Sequence, residues 1–114
     1  TSTTYHLLNA ERIASLKPDA IIINAGRGNA IESQALAAAL AEGRIRGAAL
    51  DVTEPEPLPA NSPLWCEPKC LITPHVAGGN HLEITERSII SIALGNVRCY
   101  ANGQSLDNRM PIKS

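Results

Sequence analysis

Three short apolar runs without polar alternation recur along the chain, at residues 20–24, 47–52 and 71–72. The first is centred on three consecutive isoleucines, and the third stops abruptly at Pro74. Unbroken apolar runs of strand length, rich in β-branched residues, are typical of strands buried on both faces of a parallel sheet. The pattern therefore predicts three such strands, with residues 20–24 forming a central one.

Apolar residues recur at helical spacing in two segments, one before the first strand and one between the first and second strands. Asn9 is suited to cap a short helix over residues 10–16. Residues 35–42 carry two leucines four positions apart on one helical face, and Gly43 supplies a C-terminal stop. The chain is thus predicted to place one helix before the first strand and a second helix between the first two strands.

The longest predicted helix follows the third strand. Asn80 with Glu83 three residues later is similar to a helix-capping pattern, and Asn102 with Gly103 indicates where the helix ends. Between them runs an apolar stripe at helical spacing. Its members are Leu82, Ile89, Ile90, Ala93, Leu94, Val97 and Tyr100.

The order of these elements favours parallel strand pairing, because the connections are long enough to cross a face of the sheet. Residues 53–69 contain five prolines, which exclude regular structure from most of that segment and make it a stiff loop. Three parallel strands alone leave two open edges and lack a first mononucleotide-binding half. The sequence therefore predicts an α/β fold, the second half of a doubly wound parallel sheet, in a chain that is a fragment.

Composition narrows the class of protein. A chain of 114 residues suits one small domain, 44% of its residues are apolar, and its net charge is −1. Neither a basic nucleic-acid footprint nor an apolar run approaching the ~18 residues that cross a bilayer is visible. The amino terminus lacks the features of a secretory signal. We therefore expect a cytoplasmic protein without nucleic-acid or membrane partners.

The three cysteines, Cys66, Cys70 and Cys99, are too few and too irregular for a disulfide framework. Cys66 and Cys70 have no second Cys or His pair at zinc-finger spacing. We expect reduced packing residues and no metal site.

Side chains suited to catalysis or substrate binding follow each of the three predicted strands. Arg27 follows the first strand between two glycines, Asp51 and then Glu56 follow the second, and His75 follows the third. The carboxyl ends of parallel strands share one sheet edge, so these side chains are expected to converge. A guanidinium suits a substrate carboxylate, and a carboxylate beside a histidine favours the imidazolium that donates a proton. Such a set suits 2-oxo acid reduction and lacks only a hydride source.

Less specific roles are open for each residue. Arg27 can form a loop-stabilising ion pair, Asp51 can cap a helix, and Glu56 can be a solvated loop charge. His75 alone is weak evidence, because an unpartnered loop histidine is most often a surface residue.

Five motifs in this order resemble the D-isomer-specific 2-hydroxyacid dehydrogenases and cover nearly the whole chain. They are residues 1–9, 23–28, 49–58, 62–65 and 73–78. The resemblance implies an NAD(P)-dependent oxidoreductase of Rossmann-like fold that interconverts small 2-oxo acids and D-2-hydroxy acids, usually as a homodimer.

The resemblance also implies individual roles. Arg27 would bind the carboxylate and carbonyl of the substrate, His75 would donate the proton in reduction, and Glu56 would pair with His75. Asp51 would contact the nicotinamide carboxamide. The implied cofactor-binding set is Ala25, Gly26, Arg27, Asp51, His75, Val76, Ala77 and Gly78.

Some assignments remain open between neighbours. Glu54 competes with Glu56 for the role of histidine partner, and the position of Glu56 before Pro57 and Leu58 matches the family motif better. Trp65 is expected to be a packing anchor, with a place in the site or a dimer contact as the alternative. His6 and His81 lack partners at a motif spacing and are expected at the surface.

Two features of the family are absent from the 114 residues. These are the Gly-x-Gly-x-x-Gly turn that binds the cofactor pyrophosphate and the acid about 20 residues beyond it that contacts the ribose. We therefore expect residues 1–103 to be the carboxyl-terminal half of an NAD-binding domain and residues 104–114 to return towards a substrate domain. Activity would need the missing part, and neither the 2-hydroxy acid nor the choice of NAD or NADP follows from these residues. The alternative is a nucleotide-dependent, corepressor-like binding protein of the same family.

Overall fold

The structure is a computed structural model that describes residues 2–79 and 82–109. Its contacts divide the chain into two compact units, residues 1–78 and 79–114. The first unit contains all three strands of the sheet and two helices, and the second contains one long helix.

The sheet of the first unit has three parallel strands, as predicted. They are β1 (Ile21–Asn24), β2 (Gly47–Leu50) and β3 (Cys70–Ile72), in the spatial order β1-β2-β3. Asn24 lies opposite Leu50, which in turn lies opposite Ile72. This register brings the carboxyl ends of the three strands side by side, so the residues that follow them start from one edge.

The prediction that residues 20–24 form a central strand, buried on both faces, is wrong for the part of the chain that the structure describes. β1 lies at the edge of the sheet, and β2 is the central strand. Ile22 is buried, whereas Ile21 and Ile23 are 57% and 75% exposed. Successive strand residues point to opposite faces, so one face of β1 contacts the core and the other carries unburied isoleucines. A run of β-branched residues indicates strand well, but it does not specify how many faces are covered.

Helices α1 (Ala10–Ala14) and α2 (Ser33–Ala41) form where apolar spacing predicted them. The Asn9 side chain accepts a hydrogen bond from the backbone N–H of Arg12 at 3.0 Å, which confirms the predicted cap. α1 is shorter than predicted because Ser15 already acts as its C-terminal cap. Gly43 adopts a φ of +67°, a left-handed angle that favours glycine and stops α2.

One hydrophobic core joins α1, α2 and one face of the sheet. It is aliphatic throughout, as the scarcity of aromatic residues requires. Its buried members are Ile13, Ile22, Ile31, Leu36, Ala37, Ala39, Leu40, Ile45, Ala48, Leu50 and Leu64. Leu64 anchors the proline-rich loop to this core through a short 3-10 helix at Pro63–Cys66, and the other residues of the loop form no regular element. The prediction that the prolines exclude regular structure from most of this segment is therefore confirmed.

The second unit consists of α3 (Glu83–Ala101) and the chain that follows it. The predicted cap at Asn80 lies outside the described residues, and the residue that flanks α3, Leu82, makes no side-chain cap. Asn102 ends the helix as predicted. The predicted boundary between a domain ending at residue 103 and a returning tail stays a prediction. No helix among the residues described is both long and apolar enough to span a membrane.

The cysteines are unpaired, as expected, but only two of them are packed. Cys70 and Cys99 are half-buried, and Cys70 packs against the core. Cys66 is exposed, so the prediction of a packing role is wrong for it. Across residues 2–79 and 82–109 no cluster of three His, Cys, Asp or Glu side chains is arranged to hold a metal ion.

Candidate active site

The loop after β1 presents Arg27 to solvent on a backbone fixed by Asn24. The Asn24 side chain accepts from the backbone N–H of Gly26 at 3.1 Å and donates to the backbone carbonyl of Arg27 at 2.9 Å. Arg27 itself donates from Nη1 to the Gly26 carbonyl and has no ion pair within the described ranges. The loop-stabilising ion pair considered for Arg27 is therefore not formed, and its charge is available to a ligand. Asn24 was not among the residues predicted to shape the site, although an amide that ends a strand before a glycine turn is a recognised turn signal.

Gly28 lets the Arg27 loop contact the loop after β2. A Cβ atom at Gly28 would lie only 1.9 Å from the backbone oxygen of Thr53. Only glycine, which has no Cβ, allows that approach. The loops that carry Arg27 and Glu56 are thus in direct backbone contact.

Asp51 is buried at the end of β2, with 8% of its surface exposed, and its carboxylate is fully engaged. It accepts hydrogen bonds from the Thr73 hydroxyl and from the backbone N–H groups of Val76 (2.9 Å) and Ala77 (2.8 Å). These hydrogen bonds, that of Thr73 above all, lower the pKa of Asp51 from its ordinary value. Asp51 therefore holds the turn on both sides of His75.

This arrangement excludes the alternative in which Asp51 caps a helix, because its partners lie in the turn after β3. The role implied for Asp51 at the nicotinamide carboxamide stays a prediction. The hydrogen bonds by which this carboxylate holds the His75 turn were not predicted from the sequence.

His75 and Glu56 form the central contact of the site. His75 Nδ1 lies 2.6 Å from Glu56 Oε1, with the two side chains 51% and 42% exposed. An acceptor at Nδ1 favours a proton on that nitrogen and leaves Nε2 as the atom that can give or take a proton. No residue within the described ranges hydrogen-bonds Nε2. The contact between Glu56 and His75 that the sequence predicts is therefore present in the structure.

Glu54 does not compete for this contact. Its Oε2 atom lies 2.8 Å from His6 Nε2, so the two acids of the loop pair with two different histidines. The prediction that His6 is an unpartnered surface residue is wrong, because a partner 48 positions away has no recognisable sequence spacing. His81 lies outside the described residues.

Two cavities flank the converging strand ends. The larger one has a volume of about 460 Å³, and Glu56, Trp65 and His75 contribute to its wall. Trp65 is 53% exposed and donates from Nε1 to the Pro59 carbonyl, so it lines this cavity and is not the packing anchor first expected. The smaller cavity, of about 130 Å³, contains Asp51 and Ala25 in its wall.

The smaller cavity is lined mainly by apolar side chains. These are Ile23, Ala49 and Leu71, and such a lining is usual for sites that bind small organic ligands. Gly26, Val76, Ala77 and Gly78, also predicted to contact the cofactor, lie in the loops beside the strand ends. The backbone N–H groups of Val76 and Ala77 already donate to Asp51, so they are not free to donate to a ligand.

Known proteins share this segment. The family model described as "D-isomer specific 2-hydroxyacid dehydrogenase, NAD binding domain" matches residues 1–77. Glyoxylate/hydroxypyruvate reductase B from Yersinia enterocolitica is 40% identical over 108 residues, which are 95% of this chain and 32% of that protein. The chain spans about a third of the length of the curated relatives it matches.

Solved structures agree with these sequence matches. A D-isomer specific 2-hydroxyacid dehydrogenase from Xanthobacter autotrophicus Py2, in complex with NADPH and MES, superposes with a TM-score of 0.86 at 40% identity. The match covers 97% of this chain and 44% of that one. D-lactate dehydrogenase with NAD+ from Lactobacillus jensenii gives a TM-score of 0.77 at 28% identity, over 97% of this chain and 37% of that one. The three-stranded sheet is thus the fold of one half of a known Rossmann-like domain.

Proposed function

The chain belongs to the D-isomer specific 2-hydroxyacid dehydrogenase family, and we propose that it supplies the proton-transfer and substrate-binding side chains of such an enzyme. The reaction is the NAD(P)-dependent interconversion of small 2-oxo acids and D-2-hydroxy acids. The observation that carries the proposal is the contact between His75 Nδ1 and Glu56 Oε1 at 2.6 Å. It provides a histidine whose second ring nitrogen is oriented and accessible at the edge where ligands of this fold bind.

His75 acts as the acid in reduction and the base in oxidation. The imidazolium donates its Nε2 proton to the substrate oxygen as the carbonyl becomes a hydroxyl, and the neutral ring takes that proton in the reverse direction. Glu56 accepts from Nδ1 throughout, which fixes the tautomer and stabilises the charged ring. When bound, the nicotinamide cofactor supplies the hydride in reduction and accepts it in oxidation.

Arg27 binds the substrate carboxylate. Its guanidinium is exposed and free of ion pairs among the residues described, and the Asn24 side chain holds its carbonyl and the N–H of the preceding Gly26. A guanidinium can hold a carboxylate through two parallel hydrogen bonds, which sets the orientation of a 2-oxo acid as well as its affinity. The substrate carbonyl is then presented to Nε2 of His75.

NAD or NADP is the cofactor that the matching NAD-binding domain and its structural neighbours support. Ala25 and Asn24 would border the nicotinamide in the smaller cavity. The segment that holds the pyrophosphate would come from the part of the relatives' length that this chain does not span. Glyoxylate and hydroxypyruvate are the substrates we propose first, because sequence relatives are reductases named for them. A homodimer in the cytoplasm, expected from the sequence, stays a prediction.

A steady-state assay of the full-length parent protein tests the proposal. NADH or NADPH is mixed with glyoxylate, hydroxypyruvate or pyruvate, and oxidation of the cofactor is followed by its absorbance. We expect turnover that depends on both the cofactor and the 2-oxo acid. Nucleotide-dependent binding of a partner or a second copy without turnover would instead support the regulatory alternative.

A further inference from the structure

His6 has an unusual backbone conformation, and its ring contacts one neighbouring ring and one carboxylate. Its φ of +46° lies in the left-handed region, which residues other than glycine seldom adopt. Its ring stacks on that of Tyr5 with centroids 4.0 Å apart, and its Nε2 atom lies 2.8 Å from Glu54 Oε2. Both partners of this contact are about one-third exposed. A strained backbone that orients a partly buried, hydrogen-bonded pair is typical of functional sites.

The backbone of His6 is attached to the loop that carries Arg27. Its N–H donates to the Asn29 carbonyl at 2.8 Å, and two residues later the N–H of Leu8 donates to the Ala30 carbonyl at 2.9 Å. Residues 6–8 therefore run alongside the 3-10 turn that follows Arg27.

The side chain of His6 is attached to the loop that carries Glu56. Glu54, its partner, precedes Glu56 by two residues, and the Glu54 carbonyl also accepts from the Ser33 hydroxyl at 2.8 Å. These contacts lie next to the point where Gly28 meets the Thr53 backbone. One histidine thus bridges the loop of the substrate-binding arginine and the loop of the glutamate that orients His75.

We propose that His6 and Glu54 form a positioning pair that sets the distance between Arg27 and the Glu56–His75 contact. The proposal rests on the proposed function, because it concerns how the groups of that site are held. Neither residue touches the reacting atoms. In the proposed reaction Arg27 of one loop binds the substrate carboxylate, and Glu56 of the other loop orients the proton donor His75. The distance between the two loops must therefore be fixed, since small misplacements lower reaction rates strongly.

A simple surface ion pair would not have this effect. Exposed pairs contribute little, because each side chain loses conformational freedom and water screens the charges. The pair between Glu42 and Arg44, with 2.7 Å between nitrogen and oxygen, is of that kind. It lies between α2 and the amino end of β2, whereas the candidate site lies at the carboxyl ends of the strands. It provides a matched control within the same unit.

The test uses variants of the full-length parent protein, numbered as here. Glu54→Ala removes the acceptor, and His6→Asn shortens the donor while retaining a residue that tolerates left-handed backbone. Glu54→Gln keeps an acceptor oxygen in place, and Arg44→Ala removes the control pair. The values of kcat and KM are determined for the 2-oxo acid and the cofactor, together with Tm and the fraction of protein that binds NADH.

We expect Glu54→Ala and His6→Asn each to lower kcat per NADH-binding molecule about tenfold, with the cofactor KM changed less than about twofold. Glu54→Gln should stay within about threefold of the parent, and the double variant should be no slower than the single ones, because both changes break one contact. Arg44→Ala should match the parent.

A fall in Tm with an unchanged kcat per NADH-binding molecule would overturn the proposal and leave a purely structural role. So would equal losses in Glu54→Gln and Glu54→Ala. The proposed function is judged separately through His75→Ala. If that variant is inactive while Glu54→Ala and His6→Asn are normal, only the positioning role fails, whereas an active His75→Ala variant contradicts the proposed function itself.

Discussion

His75 Nδ1 and Glu56 Oε1 lie 2.6 Å apart although 19 residues separate them in the chain. Glu56 lies in the proline-rich loop after β2, and His75 lies in the turn after β3 that the buried Asp51 holds. Because β2 and β3 are parallel neighbours, the loop and the turn start side by side, and this brings the two side chains into contact.

Glu56→Gln in the full-length parent protein should lower kcat by about tenfold to a hundredfold, because a neutral amide stabilises the imidazolium less than a carboxylate does. The KM for the cofactor should change little. Steady-state kinetics beside Glu54→Gln, which alters the other acid of the same loop, provide the control. Equal effects of the two substitutions would show that the charge on Glu56 has no special role.

Arg27→Lys should lower kcat/KM for the 2-oxo acid by about a hundredfold, mainly through KM, because a lysine cannot form the two parallel hydrogen bonds of a guanidinium. Arg44→Lys is a change of the same kind near the amino end of β2, away from the candidate site, and it should leave kcat/KM unchanged. Affinity for NADH, measured by fluorescence, should be the same in both variants. An unchanged KM in Arg27→Lys would place the substrate carboxylate elsewhere.

Asp51→Asn should destabilise the chain most near neutral pH. The pKa of Asp51 is lower in the folded than in the unfolded chain, so unfolding takes up a proton where the unfolded carboxyl titrates. The stabilisation by the carboxylate is therefore complete above the ordinary aspartate pKa of about 4, and it is lost as the pH falls towards the folded value. Urea unfolding of the chain and of Asp51→Asn between pH 3 and pH 7 measures the difference, and a gap that widens towards low pH would contradict this account.

Gly28→Ala should destabilise the chain by about 1 to 3 kcal/mol or more, because the added methyl group meets the Thr53 backbone, which has no flexible side chain to move aside. Gly26→Ala is the matched control in the same loop, since its Cβ would meet only the Asn24 side chain at an ordinary 3.6 Å. Urea unfolding of both variants provides the comparison. Similar stabilities would mean that the two loops do not touch as described.

Much of this fold could be predicted because local and global signals agree. The apolar runs predicted the three strands, the capping residue Asn9 predicted the start of α1, and Gly43 predicted the end of α2. Glu56 and His75 were identified together because strand ends in a parallel sheet converge and because the surrounding motifs resemble a known family.

The remaining features depend on partners that no sequence spacing reveals. The pairing of His6 with Glu54 spans 48 positions, and the hydrogen bonds of Asp51 reach 22 to 26 positions along the chain. The exposed face of β1 was missed because isoleucines occupy a strand whether one or both of its faces are covered.

The rate of 2-oxo acid reduction by the full-length parent protein carrying His75→Ala shows whether His75 is the proton donor. NADH-dependent reduction of glyoxylate and hydroxypyruvate is measured at saturating substrate, with NADH binding confirmed independently. We predict a loss in kcat of about a hundredfold to ten-thousandfold, the range expected for removal of a general acid, at unchanged affinity for NADH. A His75→Ala variant that binds NADH normally and retains the parent kcat would contradict the assignment.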